Sequence, residues 1–125
     1  MNRPSKTIRL CACSFLLMYG LFHWLFYLGY VPSSSMEPTI HQNSYILGWR
    51  PIGSLHRGDV IIFRHEDQTL IKRISYMPGD LLPDGTVVPN DSYYVLGDNR
   101  SVSLDSRFWR KPFVPRSAII AKYMI

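Results

Sequence analysis

The sequence is poor in cysteine, and its two thiols, Cys11 and Cys13, both lie in an apolar stretch near the N-terminus. Two cysteines so close together are poorly placed to form a useful structural disulfide, and no cysteine or histidine cluster with metal-ligand spacing follows them. A glycine-rich phosphate loop is also absent from the sequence. The residues therefore imply neither a metal ion nor another cofactor.

Charged side chains are absent between Arg9 and Glu37, and Glu37 is the first acidic residue of the chain. The net charge of +5 suggests nucleic-acid binding at first sight, but Arg3, Lys6 and Arg9 supply three of these charges. Positive charge beside an apolar stretch sets membrane orientation more often than it binds phosphate. We therefore expect no nucleic-acid partner.

The uncharged region contains an apolar run of 22 residues, 10–31. A helix of that length would span about 33 Å, which matches a hydrocarbon core of about 30 Å. The basic N-terminus then predicts a cytoplasmic segment over 1–9, a transmembrane anchor over 10–31 and a domain over 32–125 on the far side of the bilayer. A cleaved signal sequence is the alternative, but its apolar region is typically about 7 to 15 residues long and ends in small side chains.

Residues 32–125 carry short apolar runs bounded by Gly, Pro, Asp or Asn, which predict a mostly β domain. The predicted strands cover residues 45–49, 59–64, 69–76, 93–96 and 118–123. A polar link over 64–68 predicts an antiparallel hairpin between the runs 60–63 and 70–74. Because 125 residues suffice for one core, we expect a single N-terminal transmembrane helix followed by one compact β-rich domain.

Lys72 lies in one of these strands, and strand alternation places its side chain on the same face as Leu70 and Ile74. If that apolar face points into the core, burial disfavours the ammonium form and lowers the pKa of the lysine. A neutral amine can accept a proton near neutral pH and act as a general base. A lysine at the edge of the sheet that reaches solvent is the alternative for this pattern alone.

Two further segments are candidates for a site, a serine cluster over 32–39 and a polar loop over 97–107. By composition alone, the first is typical of a flexible linker. The second is typical of a hydrogen-bonded surface loop, although loops of this kind also build functional sites.

Four segments of the chain resemble, in order, the conserved boxes of the type I signal peptidase family. They read SSSMEPT at 33–39, GDVIIF at 58–63, IKRI followed by PGD at 71–80, and GDNRSVSLDSR at 97–107. The resemblance extends over nearly the whole chain and includes the anchor. It implies a serine endopeptidase. Because Lys72 and Gly97 are only 25 positions apart, we expect a minimal form without the large extra β-domain found in some relatives.

The resemblance also implies roles for individual residues. Ser35 would be the nucleophile and Lys72 its general base, since one buried neutral amine can replace the usual histidine and carboxylate. The Ser33 hydroxyl and the Ser35 backbone N–H would stabilise the oxyanion, and Ser103 would hold the lysine amine by a hydrogen bond. Three charged residues would brace the last loop without touching the substrate: Asp98, Asp105 and Arg107.

A Ser/His/Asp triad is the alternative catalytic arrangement. The residues available for it are three histidines and two aspartates: His41, His56, His65, Asp59 and Asp105. No segment resembles the local signatures of such triads. Because all three histidines fall in polar stretches, we expect them on the solvated surface.

The resemblance implies that the protein removes signal peptides from exported precursor proteins at a lipid bilayer, with small residues preferred at the minus one and minus three positions. A specialised maturation protease of the same fold, such as one that trims a conjugative pilin, is the second hypothesis. An inactive, membrane-tethered β-domain that binds a partner protein is the third. Lysine at position 72, where the endoplasmic-reticulum branch has histidine, favours a bacterial inner membrane, with the mitochondrial inner membrane as second choice.

The chain departs from the family pattern after Trp109, where relatives commonly have a glycine. Arg110 and Lys111 resemble a two-residue insertion at this point. The family pattern therefore does not predict how this end of the loop packs.

Overall fold

The structure, a computed structural model, describes residues 5–125. Its helical elements are α1, Lys6–Leu25, and the 3-10 helix η1, Arg116–Ala118. Its strands are β1 Phe26–Val31, β2 Ser44–Trp49, β3 Val60–His65, β4 Gln68–Tyr76, β5 Ser92–Leu96, β6 Phe113–Pro115 and β7 Ile119–Tyr123. The prediction of a mostly β chain with one N-terminal apolar helix is confirmed. Arg3, which belongs to the predicted cytoplasmic segment, lies outside the described residues.

Helix α1 begins after Ser5, whose hydroxyl accepts a hydrogen bond from the backbone N–H of Ile8 at 3.3 Å. This cap satisfies one of the N–H groups that the start of a helix leaves without a partner. No residue of the helix is buried. Its 20 residues are apolar enough to cross a membrane and would span about 30 Å.

The helix ends at Leu25, so the apolar run 10–31 is not helical throughout. Residues 26–31 form β1 instead, paired antiparallel with β2 from Phe26↔Trp49 to Val31↔Ser44. This corrects the expectation of a helix over the whole run. The physical reason is that the sequence FYLGYV combines aromatic residues, which favour strands, with a glycine that disfavours a helix. Hydropathy alone cannot show that residues 26–31 pair with β2.

The seven strands form one antiparallel sheet in the order β1-β2-β7-β3-β4-β5-β6. The predicted hairpin is confirmed as β3–β4, with pairing from Val60↔Arg73 to His65↔Gln68. The five predicted strands correspond to β2, β3, β4, β5 and β7, whereas β1 and β6 are absent from the prediction.

Strand β3 lies at the centre of the sheet and is buried on both faces. Ile61 and Phe63 belong to one core cluster, and Val60 and Ile62 belong to another. Because successive side chains of a strand point to opposite faces, the two clusters lie on the two sides of the sheet. The second cluster includes Met36, directly after Ser35, so the serine segment is packed against the sheet.

Candidate active site

Ser35 and Lys72 lie 37 positions apart in sequence and meet in the interior of the protein. Lys72 Nζ is 2.6 Å from Ser35 Oγ, which is hydrogen-bond distance. Only 5% of Ser35 and 4% of Lys72 is exposed to solvent. The structure thus brings together the two residues for which the resemblance implies the roles of nucleophile and base.

The burial of Lys72 follows from its place in β4. It is paired with Ile61 of β3, and its alternate neighbours Leu70 and Ile74 pack in the same core cluster as Ile61. Burial lowers the pKa of the Lys72 amine below its ordinary value, while the negative charge of Asp105 opposes part of this effect. The neutral amine is therefore more populated at neutral pH than for an exposed lysine.

The serine segment is held by the last polar loop and is not a flexible linker. The Asn99 backbone N–H donates to the Ser35 carbonyl oxygen at 2.8 Å, and Asn99 Nδ2 donates to the Ser34 carbonyl oxygen at 3.1 Å. The side chain of Met36 is fully buried beside them. These contacts fix the backbone on both sides of the Ser35 side chain.

Ser33 lies next to the backbone N–H of Ser35. Its Oγ accepts a hydrogen bond from that N–H at 3.1 Å, so the two groups expected to stabilise an oxyanion bond each other in this structure. A serine hydroxyl can rotate and donate as well as accept. An oxyanion placed between the two groups would take over the Ser35 N–H and receive a second bond from the turned Ser33 hydroxyl.

Ser103 is buried, but its Oγ makes no hydrogen bond within residues 5–125. The expected hydrogen bond from Ser103 to the Lys72 amine is thus not formed in this structure. The hydroxyl packs against Gly97, where an added Cβ would overlap Ser103 Oγ and lie 2.8 Å from the Ser35 carbonyl oxygen. Lys72 Nζ is directed to Ser35 Oγ instead. The close approach of these segments requires glycine at position 97.

Asp105 is fully buried at the base of the loop. It accepts hydrogen bonds from the Gly97 backbone N–H and from Arg107 Nε, each at 2.9 Å. Burial raises the pKa of the Asp105 carboxyl, but these bonds outweigh it and hold the pKa below its ordinary value. Arg107 also donates to the Arg100 carbonyl oxygen at 2.8 Å, which closes the loop.

Asp98 connects the loop to the strand that carries Lys72. Arg73 donates to it through Nε and Nη2, both at 2.8 Å, and Thr39 Oγ1 donates to it at the end of the serine segment. The hydrogen bond from Arg73 lowers the pKa of the Asp98 carboxyl and stabilises its charged form. A bidentate pair of this kind fixes the relative orientation of two segments.

Sequence reasoning assigned no role to Arg73 or Asn99. Alternation along β4 places Arg73 on the face opposite to Lys72. The pattern therefore indicates that Arg73 contacts groups on the other side of the sheet from the catalytic pair. No signal could have identified Asn99, because its partners are backbone carbonyl groups, which every residue has.

The side-chain contacts found for His56 and His65 involve groups other than Ser35. His56 faces Asp59, with 3.8 Å between Nδ1 and Oδ2, and the His65 ring stacks on Trp109 at 3.9 Å. His41 is exposed. Because Ser35 Oγ is next to Lys72, the structure does not form the Ser/His/Asp arrangement around Ser35. Within residues 5–125, no group of three or more His, Cys, Asp or Glu side chains is placed to hold a metal ion.

Two clefts meet at the Ser35–Lys72 pair. The first, called here the small cleft, has a volume of about 130 Å³ and lies between β1 and the start of β4. The second, called here the wide groove, has a volume of about 730 Å³ and lies between the tip of the β3–β4 hairpin and the loop that ends at Arg110. A chain bound across Ser35 could therefore extend in both directions.

Comparison with known proteins identifies the family of the chain. A sequence model of the family described as "Signal peptidase, peptidase S26" matches residues 5–83 and 81–125. The chain is 31% identical over 134 residues to a probable signal peptidase I-2 of Synechocystis sp., covering 77% of this chain and 60% of that protein. It is 30% identical over 159 residues to signal peptidase I of Leptolyngbya laminosa, covering 96% of this chain and 76% of that protein. The chain belongs to the signal peptidase, peptidase S26 family, and it spans less than two thirds of the length of the first of these relatives.

Proposed function

We propose that this protein is a membrane-anchored serine endopeptidase that removes signal peptides from exported precursor proteins. Ser35 is the nucleophile and Lys72 the general base. The observation that carries this proposal is the 2.6 Å contact between the buried Lys72 Nζ and Ser35 Oγ. The names of the relatives, signal peptidases from Synechocystis sp. and Leptolyngbya laminosa, support the class of substrate.

The reaction begins when neutral Lys72 takes the proton of Ser35 as its Oγ attacks the scissile carbonyl carbon. The Ser35 N–H and the Ser33 hydroxyl stabilise the resulting oxyanion. The Lys72 ammonium then gives its proton to the leaving amine, and an acyl-enzyme remains on Ser35. Lys72 next takes a proton from water, which attacks the ester carbonyl carbon. As the ester bond breaks and the signal peptide leaves as a carboxylic acid, the Lys72 ammonium returns its proton to Ser35 Oγ, so both groups are regenerated.

Asp105 acts on this cycle through Lys72. Its negative charge favours the ammonium form of Lys72, which exists between the two proton transfers. Because Asp105 is held by Gly97 and Arg107, its position relative to the lysine is fixed. We assign Asp98, Asp105 and Arg107 to bracing the loop.

The small cleft supports a preference for short side chains before the scissile bond. It is well below the roughly 300 Å³ at which pockets for ordinary small ligands begin. Gly29 lines it, and an added Cβ there would lie 2.7 Å from the Tyr27 ring and 3.3 Å from Ile46. Within residues 5–125, β4 pairs with β5 only from Arg73 onward. The edge before Arg73 is therefore open to an extended peptide.

Retention of the anchor is supported by the way α1 joins the sheet. The Arg50 backbone N–H donates to the Leu25 carbonyl oxygen at 2.8 Å, so the β1–β2 pairing continues to the last residue of the helix. A signal sequence would also match α1 in length and position. Cleavage after α1, however, would free the start of β1, which lines the small cleft.

The outer face of the β1–β2 hairpin supports a location at the bilayer surface. Pairing in register places six apolar side chains on that face: Phe26, Leu28, Tyr30, Tyr45, Leu47 and Trp49. Aromatic residues are enriched where a membrane meets water. With a basic N-terminus, this arrangement favours a single-pass protein of the bacterial inner membrane whose N-terminus is cytoplasmic and whose catalytic domain lies on the outer face. The mitochondrial inner membrane is the second choice.

We expect the full-length chain to restore growth and precursor processing in a bacterial strain depleted of its own signal peptidase. Ser35→Ala expressed from the same vector is the matched control and should not restore either. Rescue failure with stable, membrane-located protein that still cleaves one dedicated precursor, such as a pilin, would favour a specialised maturation protease. Failure to cleave any precursor would overturn the proposal and leave a binding domain.

Ser33→Ala is expected to lower kcat by roughly 10²- to 10³-fold, the usual effect of removing one oxyanion donor. Single-turnover cleavage of a precursor measures this loss, and KM should change little because the bond forms only in the transition state. Ser33→Thr keeps the hydroxyl and should retain most activity, whereas Ser34→Ala is the control. A rise in KM with unchanged kcat would argue against a role for Ser33 in the transition state. A fall in Tm large enough to account for the lower activity would argue against it as well.

A further inference from the structure

The wide groove has an apolar wall on the side away from the small cleft. Val102, Leu104 and Phe108 line it, and they are 54%, 71% and 62% exposed. Apolar side chains grouped on a surface beside a functional site are typical of a binding surface. None of the three side chains takes part in the proton transfers proposed for Ser35 and Lys72.

The wall is built on fixed parts of the molecule. The Arg107 guanidinium lies 5.0 Å from the centre of the Phe108 ring, and Arg107 is held in turn by buried Asp105. Trp109, which follows, contacts Phe63 of the core at a ring distance of 6.0 Å and stacks on His65. A surface held in this way loses little conformational freedom when a ligand binds.

The wide groove is continuous with the catalytic pair. It shares six residues with the small cleft, all of them at the junction of the two: Pro32, Ser33, Ser35, Thr69, Leu70 and Lys72. A scissile bond lies in the middle of a continuous chain, so a substrate bound at Ser35 must leave the site in two directions. Because the small cleft suits the short residues before the bond, the residues after the bond are left to the wide groove.

We propose that the wide groove binds the residues directly after the scissile bond, and that its apolar wall favours precursors with an apolar or aromatic side chain there. This inference rests on the proposed function and names a determinant of its specificity. Leu104 and Phe108 are the specificity-determining residues. Arg110, which belongs to the two-residue insertion, also lines the groove. The family pattern therefore does not predict the shape of this end of the groove.

A lipid surface is the other class of partner that exposed apolar side chains can meet. The groove also contains Glu66 and Arg110, and charged groups are costly to place in hydrocarbon. Its continuity with Ser35 and Lys72 likewise favours a peptide. We therefore assign the groove to the substrate and treat lipid contact as an outcome of the test.

The test compares precursors that differ only in the first residue after the scissile bond, Phe, Leu, Ser or Asp, with the full-length chain in detergent. We expect kcat/KM to be about tenfold higher for Phe and Leu than for Ser, the order of discrimination that an apolar pocket gives. Leu104→Ser and Phe108→Ser should reduce this ratio toward one. Leu81→Ser, at an exposed leucine outside the groove, should leave the ratio unchanged.

Each result decides the inference. Equal kcat/KM for all four precursors with the parent chain would overturn it while leaving the proposed endopeptidase intact. Cleavage of none of them would count against the proposed function itself. If Leu104→Ser and Phe108→Ser slow all precursors equally, and only when the chain is in lipid vesicles, the wall contacts the membrane and the inference is wrong. Thermal unfolding of each variant shows that it is folded, as expected for changes at exposed positions.

Discussion

Ser35→Ala is expected to lower kcat for precursor cleavage by on the order of 10⁶-fold, the loss seen when a serine nucleophile is removed. The methyl side chain can neither attack a carbonyl group nor form an acyl-enzyme. The measurement is single-turnover cleavage of a purified precursor by full-length protein in detergent. The fold should persist, since the hydrogen bond from Asn99 to the residue 35 carbonyl oxygen does not involve the hydroxyl.

Ser117→Ala is a matched control, because Ser117 is exposed and lies in η1, outside both clefts that meet at Ser35. It should cleave at the rate of the parent chain. A covalent serine-reactive inhibitor should label the parent and the control but not Ser35→Ala. Activity of Ser35→Ala within tenfold of the parent would rule out Ser35 as the nucleophile.

The activity of the parent chain is expected to rise with pH through the pKa of Lys72. Below that pKa the amine is an ammonium and cannot accept the Ser35 proton, and above it the amine is neutral and active. Because burial lowers the pKa of Lys72, the rise should occur below the value of about 10.4 that is ordinary for lysine. The measurement is kcat/KM against pH, and a rise centred on the ordinary value would contradict a buried base.

Variants of Lys72 distinguish the effect of its positive charge from its function as a general base. Lys72→Arg should be inactive at every accessible pH, since a guanidinium remains charged throughout that range and cannot accept the Ser35 proton. Lys72→Met has a similar length and no ionisable group, so it should lose activity to the same extent as Ser35→Ala. Burial disfavours the ammonium form in the folded state, so the Tm of Lys72→Met near neutral pH should equal or exceed that of the parent. Lys111→Met, at an exposed lysine, is the control.

Much of the sheet could be predicted because its strands carry their own sequence signals. Strands β2, β3, β4, β5 and β7 are apolar runs bounded by turn residues, and the β3–β4 hairpin has a polar link. Strand β1 could not be separated from α1, because both are apolar and only the pairing with β2 distinguishes them. Strand β6 has three residues and includes Pro115, too short for a periodic pattern.

The features of the candidate site that depend on the type of side chain could be predicted from the sequence. The features that depend on backbone hydrogen bonds and close packing could not. Alternation along β4 placed Lys72 on the same face as Leu70 and Ile74 but left open whether that lysine is buried or reaches solvent, and the structure shows it buried. The clamp formed by Asn99 and the close approach of Gly97 to Ser103 involve backbone groups and shapes that no residue pattern encodes. The hydrogen bond expected from Ser103 to Lys72 is not formed in this structure, because packing places the Ser103 hydroxyl against Gly97.

Because α1 continues directly into β1, the length of the helix fixes the distance between its N-terminal end and the sheet. Phe26 follows Leu25 without an intervening linker, and Arg50 Nε bonds the Phe26 carbonyl oxygen at 3.0 Å, so the junction is stiff. Ser35 lies only ten residues beyond Leu25. Each residue added to the helix would raise the catalytic pair by about 1.5 Å and turn it by about 100°. In the proposed membrane orientation, the depth of α1 in the bilayer would therefore set the height above the lipid at which a precursor is cut.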